Sequence, residues 1–174
     1  MVIRKRVNIT GPALVFVTTT VKDWTPVFAN EQFGRLVVDL LCEMLPRHQV
    51  SLGAYVLMPS HLHALMGFRE IKQLSRTMRA FKSLSTRLLR PKLPHDLRNI
   101  FEENGAFRFW MPRFDDVVIW SEKQFKIKVD YIHNNPVKAG LVGQATEYSM
   151  SSAVDWILGK PGLISIDKNW AWLE

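Results

Sequence analysis

Two runs of strand-forming residues, Val50 to Met58 and His61 to Phe68, stand only Pro59-Ser60 apart. So short a link turns the second run back alongside the first, and the pair reads as an antiparallel hairpin. Amphipathic stretches too long to be strands flank it. Upstream, Asn30 caps a predicted helix from about Glu31 to Leu45, with Phe33, Val37, Leu40, Leu41 and Met44 on one face and Pro46 as its stop. Downstream, Ile71 to Leu89 places Leu74, Met78, Phe81, Leu84 and Leu88 at three- and four-residue steps; Pro91 and Pro94 then stop the helix and open a loop. The β-branched run Ala13 to Val21 reads as a first strand and Arg108 to Trp120 as a later extended segment. Ser121 or a neighbour begins a helix from about Glu122 to Asn135, and a short helical stretch follows near Ala153 to Leu158. The order strand, helix, strand-turn-strand, helix, strand, helix predicts an α+β fold. We expect a single domain over residues 1–174, an antiparallel sheet with helices on one side, in a ferredoxin-like (RRM-like) arrangement.

Composition narrows the function classes. The 174 residues are 47% hydrophobic, enough to bury a core. Apolar runs such as Ala13 to Val17 fall far short of the ~20 residues a membrane span needs. No apolar signal core follows the basic Met1 to Arg6, so no membrane partner and a cytoplasmic location are expected. The single cysteine, Cys42, cannot form an internal disulfide and falls on the apolar helix face, where a buried structural thiol is expected. Lys and Arg number 23 against 16 acids, a net charge of +7, with a pI near 9.8. That balance favours a polyanionic partner.

His61 and His63 lie one residue apart in a predicted strand, so their imidazoles share a face while Leu62 and Ala64 take the other. Two neutral imidazoles with an amide oxygen would leave coordination positions for water or phosphate, a set that suits Mg²⁺ or Mn²⁺ at least as well as zinc. With one cysteine and no Cys-x-x-Cys, a structural zinc site is disfavoured. On the last long helix, Tyr131 and Asn135 are neighbours at a four-residue step, with Lys128 near the same face. A phenol has a pKa near 10 and needs a cation or base to become a nucleophile; Lys128, Lys138 and His133 are the candidates.

Arg76, Arg79, Lys82, Arg87, Arg90 and Lys92 could line a phosphate-binding surface on the second long helix. Arg108, Trp110, Arg113, Phe114 and Trp120 interleave cations with aromatics, the composition of a stacking platform for single strands; for Trp110 and Phe114, core packing is the stronger expectation. Arg4, Lys5 and Arg6 form a candidate basic arm.

Several blocks together resemble the single-tyrosine His-hydrophobe-His transposases, most closely the branch associated with repetitive extragenic palindromes (REP). They are Tyr55 to His63, Met78 to Ser85 around Lys82, Trp110 to Asp116, Tyr131 to Val142, and Tyr148 to Ala153. They are collinear and span about Ala13 to Ala153, leaving 154–174 as a tail. The chain departs from the family pattern at Ser60, where asparagine is usual, and at Val117, where a histidine is common. The resemblance implies that His61, His63 and Asn135 hold a divalent metal, and that Tyr131 attacks a single-strand phosphodiester to give a 5′-phosphotyrosine and a free 3′-hydroxyl. It also implies single-stranded DNA hairpins as partners and a monomer or homodimer; Arg4, Lys5, Arg6, Arg76, Arg79, Lys82, Arg108, Arg113 and Lys138 are the basic residues expected to contact that DNA. The alternative is a domesticated relative that binds hairpin DNA or RNA without cutting it.

Overall fold

The computed structural model describes residues 9–169. β1 (Ala13–Thr20) passes through 3-10 turns at Lys22–Trp24 and Val27–Ala29 into α1 (Glu31–Arg47). The expected hairpin is β2 (Val50–Met58) and β3 (His61–Phe68), followed by α2 (Gln73–Leu89). After α3 (His95–Phe101) and the small hairpin of β4 (Glu102–Glu103) and β5 (Ala106–Phe107) come β6 (Asp115–Ile119), α4 (Glu122–Lys138) and α5 (Ala153–Ile157). The main sheet has the order β2-β3-β1-β6 with every neighbouring pair antiparallel. This is the ferredoxin-like βαββαβ arrangement expected from the pattern, with α4 added after it.

Local chemistry starts and stops the helices where it was expected to, with two differences. Asn30 Oδ1 accepts from the Gln32 amide at 3.0 Å, and Ser121 Oγ accepts from the Gln124 amide at 3.2 Å. Pro46, read as a helix stop, and Pro136, just past the expected end at Asn135, instead lie inside the last turns of α1 and α4. Each withholds the amide that would bond the carbonyl four residues earlier, of Cys42 and Ile132, yet the helix runs one residue past Pro46 and two past Pro136. The terminator of α4 is Gly140, at φ +70°: its amide bonds the Val137 carbonyl and the Leu141 amide bonds the Pro136 carbonyl. That is a Schellman close, which only a left-handed residue permits.

Helices cover both faces of the sheet, not one. Val15 and Val17 of β1 with Leu62, Ala64, Met66 and Phe68 of β3 pack under α1 and α2. Leu14, Phe16, Leu65 and Ile119 face the opposite way, against Phe125, Val129 and Ile132 of α4. In β2 a bulge between Leu52 and Ala54 swaps the alternation, so Leu52 joins the first layer while Ala54, Val56 and Met58 join the second. Both faces of β2 and β3 are buried, which explains why these strands read as near-continuous apolar runs.

Other details depart from the sequence pattern for identifiable reasons. Leu84 is exposed and the buried stripe of α2 runs through Phe81, Ser85 and Leu89. Ser85 occupies a core position because its hydroxyl donates to the Phe81 carbonyl (2.7 Å) and accepts from the Trp110 indole (2.9 Å). Trp110 is thus core, and Phe114 packs partly buried beside it. The extended reading of Arg108 to Trp120 shrinks to β6, and the expected loop 91–105 contains α3 and a two-residue Asn104-Gly105 turn, both residues at positive φ. Cys42 is half-buried against the core rather than enclosed.

The segment 148–153 closes the outer edge of β2. Leu57 donates its amide to the Met150 carbonyl (2.8 Å), Ser152 donates its amide to the Tyr55 carbonyl (3.0 Å), and the Tyr148 hydroxyl donates to the Leu57 carbonyl (2.8 Å). Ser152 Oγ also lies 2.9 Å from His133 Nε2, so the buried His133 ties α4 to the sheet. Burial lowers its pKa from 6.5 to about 4. The unfolded chain therefore takes up a proton below pH 6.5 that the folded chain refuses until about pH 4. Stability should fall across that window, by up to about 3 kcal/mol from this group. His133→Gln should flatten that part of a pH series of denaturant midpoints; an unchanged acid limb would mean His133 does not titrate on unfolding.

Candidate active site and nucleic-acid interface

The hairpin register sets the histidines. His63 pairs with Thr18 and His61 with Thr20 across β3 and β1, so both rings sit where β1 ends and β3 begins, on the α4 face. His63 is 5% exposed, and its Nδ1 lies 2.7 Å from Thr18 Oγ1. His61 Nδ1 lies 3.2 Å from Ser60 Oγ, and the two ring centroids are 4.7 Å apart. Desolvation lowers the pKa of both; for His63, to about 3, with the His61 and Lys128 charges adding to the effect. Neutral rings hydrogen-bonded through Nδ1 leave Nε2 as the donor for a metal, the usual role of the partner on the other ring nitrogen.

The sheet then determines which face of α4 meets these rings. Phe125, Val129 and Ile132 point into the core, which turns Tyr131 toward the histidines. Its ring centroid is 5.2 Å from His63 and 5.8 Å from Phe16, both edge to face, while Phe16 stacks on His63 at 5.4 Å. Tyr131 remains 40% exposed, so a large substrate can reach the residue. Lys128 Nζ lies over Phe16 (4.3 Å) and Tyr131 (5.4 Å). Of the three groups considered for assisting the phenol, Lys128 alone is shown in contact with it. His133 is committed to Ser152, and Lys138 is exposed seven residues on, at the end of the helix. Asn135 is half-buried one turn beyond Tyr131 on the same helical face.

The donor set is compatible with a divalent metal. Among the described residues no group of three or more His, Cys, Asp or Glu converges, so any third protein ligand beside His61 and His63 comes from a different residue type. An amide such as Asn135 meets that requirement.

On the other face of the sheet, α2 and residues 107–114 enclose a groove of about 950 Å³. Arg79, Lys82, Arg87, Arg90 and Arg108 line it, so the fold does bring much of the expected basic set together. Arg90 and Arg108 are partly neutralised by Glu102 (3.8 Å) and Glu103 (4.0 Å). Lys82 has a structural task as well: its ammonium donates to the Met111 (2.8 Å) and Arg113 (3.0 Å) carbonyls, and burial pulls its pKa down to about 8. Arg113 is exposed on the loop that Lys82 holds; Arg76 is exposed on α2 outside the groove lining, and Lys138 lies away on α4. Arg4, Lys5 and Arg6 lie outside the described residues. The groove's far wall hangs from β1, where the Met111 amide donates to the carbonyl of Thr20, the residue paired with His61. Groove and histidines thus meet at one end of the sheet.

Reading the residues alone passed over Thr18 and Phe16 and took Ser60 only as a turn residue, although all three touch the histidines. Thr18 sits in a β-branched run where nothing marks it out; only its register opposite His63 gives it a role. Among the described residues no helix is long and apolar enough to cross a membrane.

The model of the IS200-like transposases matches residues 14–135, from β1 to Asn135. A protein of Haemophilus influenzae Rd assigned as a REP-associated tyrosine transposase is 28% identical over 152 residues, 84% of this chain and 83% of that one. The REP-associated tyrosine transposase of Escherichia coli K12 is 30% identical over 103 residues, 59% of this chain and 53% of its own length. Among solved structures, a REP-associated tyrosine transposase bound to a REP hairpin superposes with a TM-score of 0.69 at 23% identity, covering 97% of this chain and 94% of that one. A Deinococcus radiodurans protein described as a transposase gives 0.53 at 20% identity, over 75% of this chain and 96% of its own.

Proposed function

The chain belongs to the IS200-like transposase family, and from that premise we propose that it cuts and rejoins single-stranded DNA beside a hairpin, with Tyr131 as nucleophile. The observation that carries the reading is the convergence of three elements at one point: the paired imidazoles of β3, the half-exposed Tyr131 phenol 5.2 Å from His63, and the Lys128 ammonium over that phenol. The hairpin is carried over from the solved relative, which holds one.

In this reading Tyr131 Oη forms a bond to phosphorus as the bond from phosphorus to the 3′ oxygen breaks. The phenol loses its proton and the departing 3′ oxygen gains one, leaving a 5′-phosphotyrosine. Attack by a 3′-hydroxyl reverses the step, because the phosphotyrosine conserves the ester energy. Lys128 offsets negative charge around the phenol, and Phe16 and His63 hold its ring edge-on. His61, His63 and Asn135 would hold Mg²⁺ or Mn²⁺, which when bound supplies positive charge for the non-bridging phosphate oxygens. The fit rests on the neutral imidazoles with Nδ1 already engaged and on the amide one helical turn beyond the nucleophile.

Covalent trapping tests it: labelled hairpins with single-stranded flanks are incubated with protein and Mn²⁺, Mg²⁺ or EDTA, then denatured. A metal-dependent adduct is expected. Tight binding with no adduct and no cleavage would mean a non-cleaving hairpin binder, and cleavage without adduct would make water the nucleophile.

The groove supplies the affinity. Reversing Arg79 and Arg87 to Glu should weaken hairpin binding by at least tenfold at moderate salt. It should also flatten the plot of log affinity against log salt by roughly 0.7–0.9 for each phosphate that is no longer neutralised. Lys82 is left intact because reversing it would also release the 111–113 loop. An unchanged salt slope would remove the groove from the DNA path.

A further inference from the structure

Trp24 is 61% exposed, although tryptophan is among the side chains that most gain from burial. It also occupies a conformation that side chains with a Cβ avoid: Asp23 and Trp24 are consecutive left-handed residues at φ 54° and 56°. The surroundings hold this pair in place. The Lys22 amide donates to the Phe109 carbonyl (2.8 Å), Lys22 Nζ reaches Glu103 (3.3 Å) and the Ile100 carbonyl (3.2 Å), and Thr25 bonds back to the Lys22 carbonyl (2.8 Å). On the other side, the Val21 amide donates to the Ser60 carbonyl (2.8 Å), the residue before His61. The strained segment is thus fastened to the turn that presents the histidines, and it puts the Trp24 ring 5.3 Å from His61 at 71°. Strain maintained this way, around an exposed aromatic, points to a contact the isolated protein does not itself make.

We propose that Trp24 is a base-stacking residue: it receives the base of the unpaired nucleotide adjoining the phosphate presented to Tyr131, and so helps choose which linkage is cut. The proposal rests on the strand-transfer reading above for the place of that phosphate. A tryptophan face accepts any base, so the site would register an unpaired, unstacked nucleotide rather than read its identity. A base stacked there would hold its own backbone over the imidazoles, which are within one nucleotide's reach of the ring.

The test measures dissociation constants on a Tyr131→Phe background, which keeps the DNA uncut, for Trp24 and for Trp24→Ala and Trp24→Phe. The ligands are a hairpin without flank, the hairpin with a single-stranded flank, and flanks carrying one abasic site at each position in turn. Trp24→Ala should weaken binding of the flanked hairpin roughly 5- to 100-fold, leave the flankless hairpin unchanged, and lose its effect when the abasic site occupies the stacked position. Trp24→Phe should recover most of the affinity. Trp24→Gly should melt at or above the parent temperature, since glycine relieves the left-handed backbone. Equal losses on every ligand, no loss at all, or a lower melting temperature for Trp24→Gly would overturn the proposal. If Trp24 protein with Tyr131 restored binds flanks yet forms no adduct, the strand-transfer reading fails while the stacking result stands; no binding of any flank overturns both.

Discussion

Tyr131→Phe should abolish the metal-dependent protein–DNA adduct while hairpin affinity stays within about twofold. The substitution removes one oxygen from a residue that is 40% exposed and keeps its edge contacts to Phe16 and His63. Stability should therefore change by less than about 0.5 kcal/mol, as for an exposed position. On the strand-transfer reading, the variant offers no phenol oxygen to attack the phosphate. The rate should fall by orders of magnitude, on the scale of the roughly 10⁶-fold loss that follows removal of a serine protease nucleophile. Quantifying adduct on denaturing gels beside equilibrium binding separates the outcomes. Cleavage persisting without adduct would assign the attack to water. Loss of binding together with cleavage would make the phenol a structural contact.

The second large effect is expected at the histidines and needs two variants to be interpretable. His61→Ala removes a half-buried ring and should abolish metal-dependent cleavage with little change in melting. His63→Ala should abolish cleavage too, but it also empties a buried position and strands the Thr18 hydroxyl, at a cost of about 1–3 kcal/mol. Thr18→Val isolates the site from the fold. It suits the β-branched strand, keeps both imidazoles, and removes only the hydroxyl 2.7 Å from His63 Nδ1. Losing an orienting partner of this kind typically costs 10- to 100-fold in metal affinity. Mn²⁺ titration of the protein without DNA should show that loss for Thr18→Val and no binding for His61→Ala. Full Mn²⁺ affinity in both would take the metal away from this pair.

Much of this was legible because it depends on short-range rules. The Pro59-Ser60 link dictates a hairpin, alternation along β3 puts His61 and His63 on one face, and the four-residue step puts Tyr131 beside Asn135. The Asn104-Gly105 turn obeys an equally local rule, since Asn-Gly is the pair that best tolerates two left-handed residues in succession. The ends expected for α1 and α4 fall short of the observed ones because a proline withholds one bond yet leaves the next one or two residues, Arg47 and Val137-Lys138, free to stay helical. The expectation of helices on one side failed for a different reason: fully apolar strands carry no alternation to say that a second helical layer, α4, covers their other face.

Residue types, periodicities and spacings thus determined by themselves the sheet-and-helix order, the histidine pair and the candidate nucleophile. Tertiary structure alone decided that Tyr131 and Lys128 come from α4 across to β3, that Thr18 and Phe16 brace His63, that His133 serves the fold, and that Trp24 stands exposed beside His61. The physical reason is range. A dihedral or capping preference acts over a few residues, whereas these contacts join positions 19 apart (His133 with Ser152), 45 apart (Thr18 with His63) or farther still (Phe16 with Tyr131). They exist only once strand register and two layers of packing have been set.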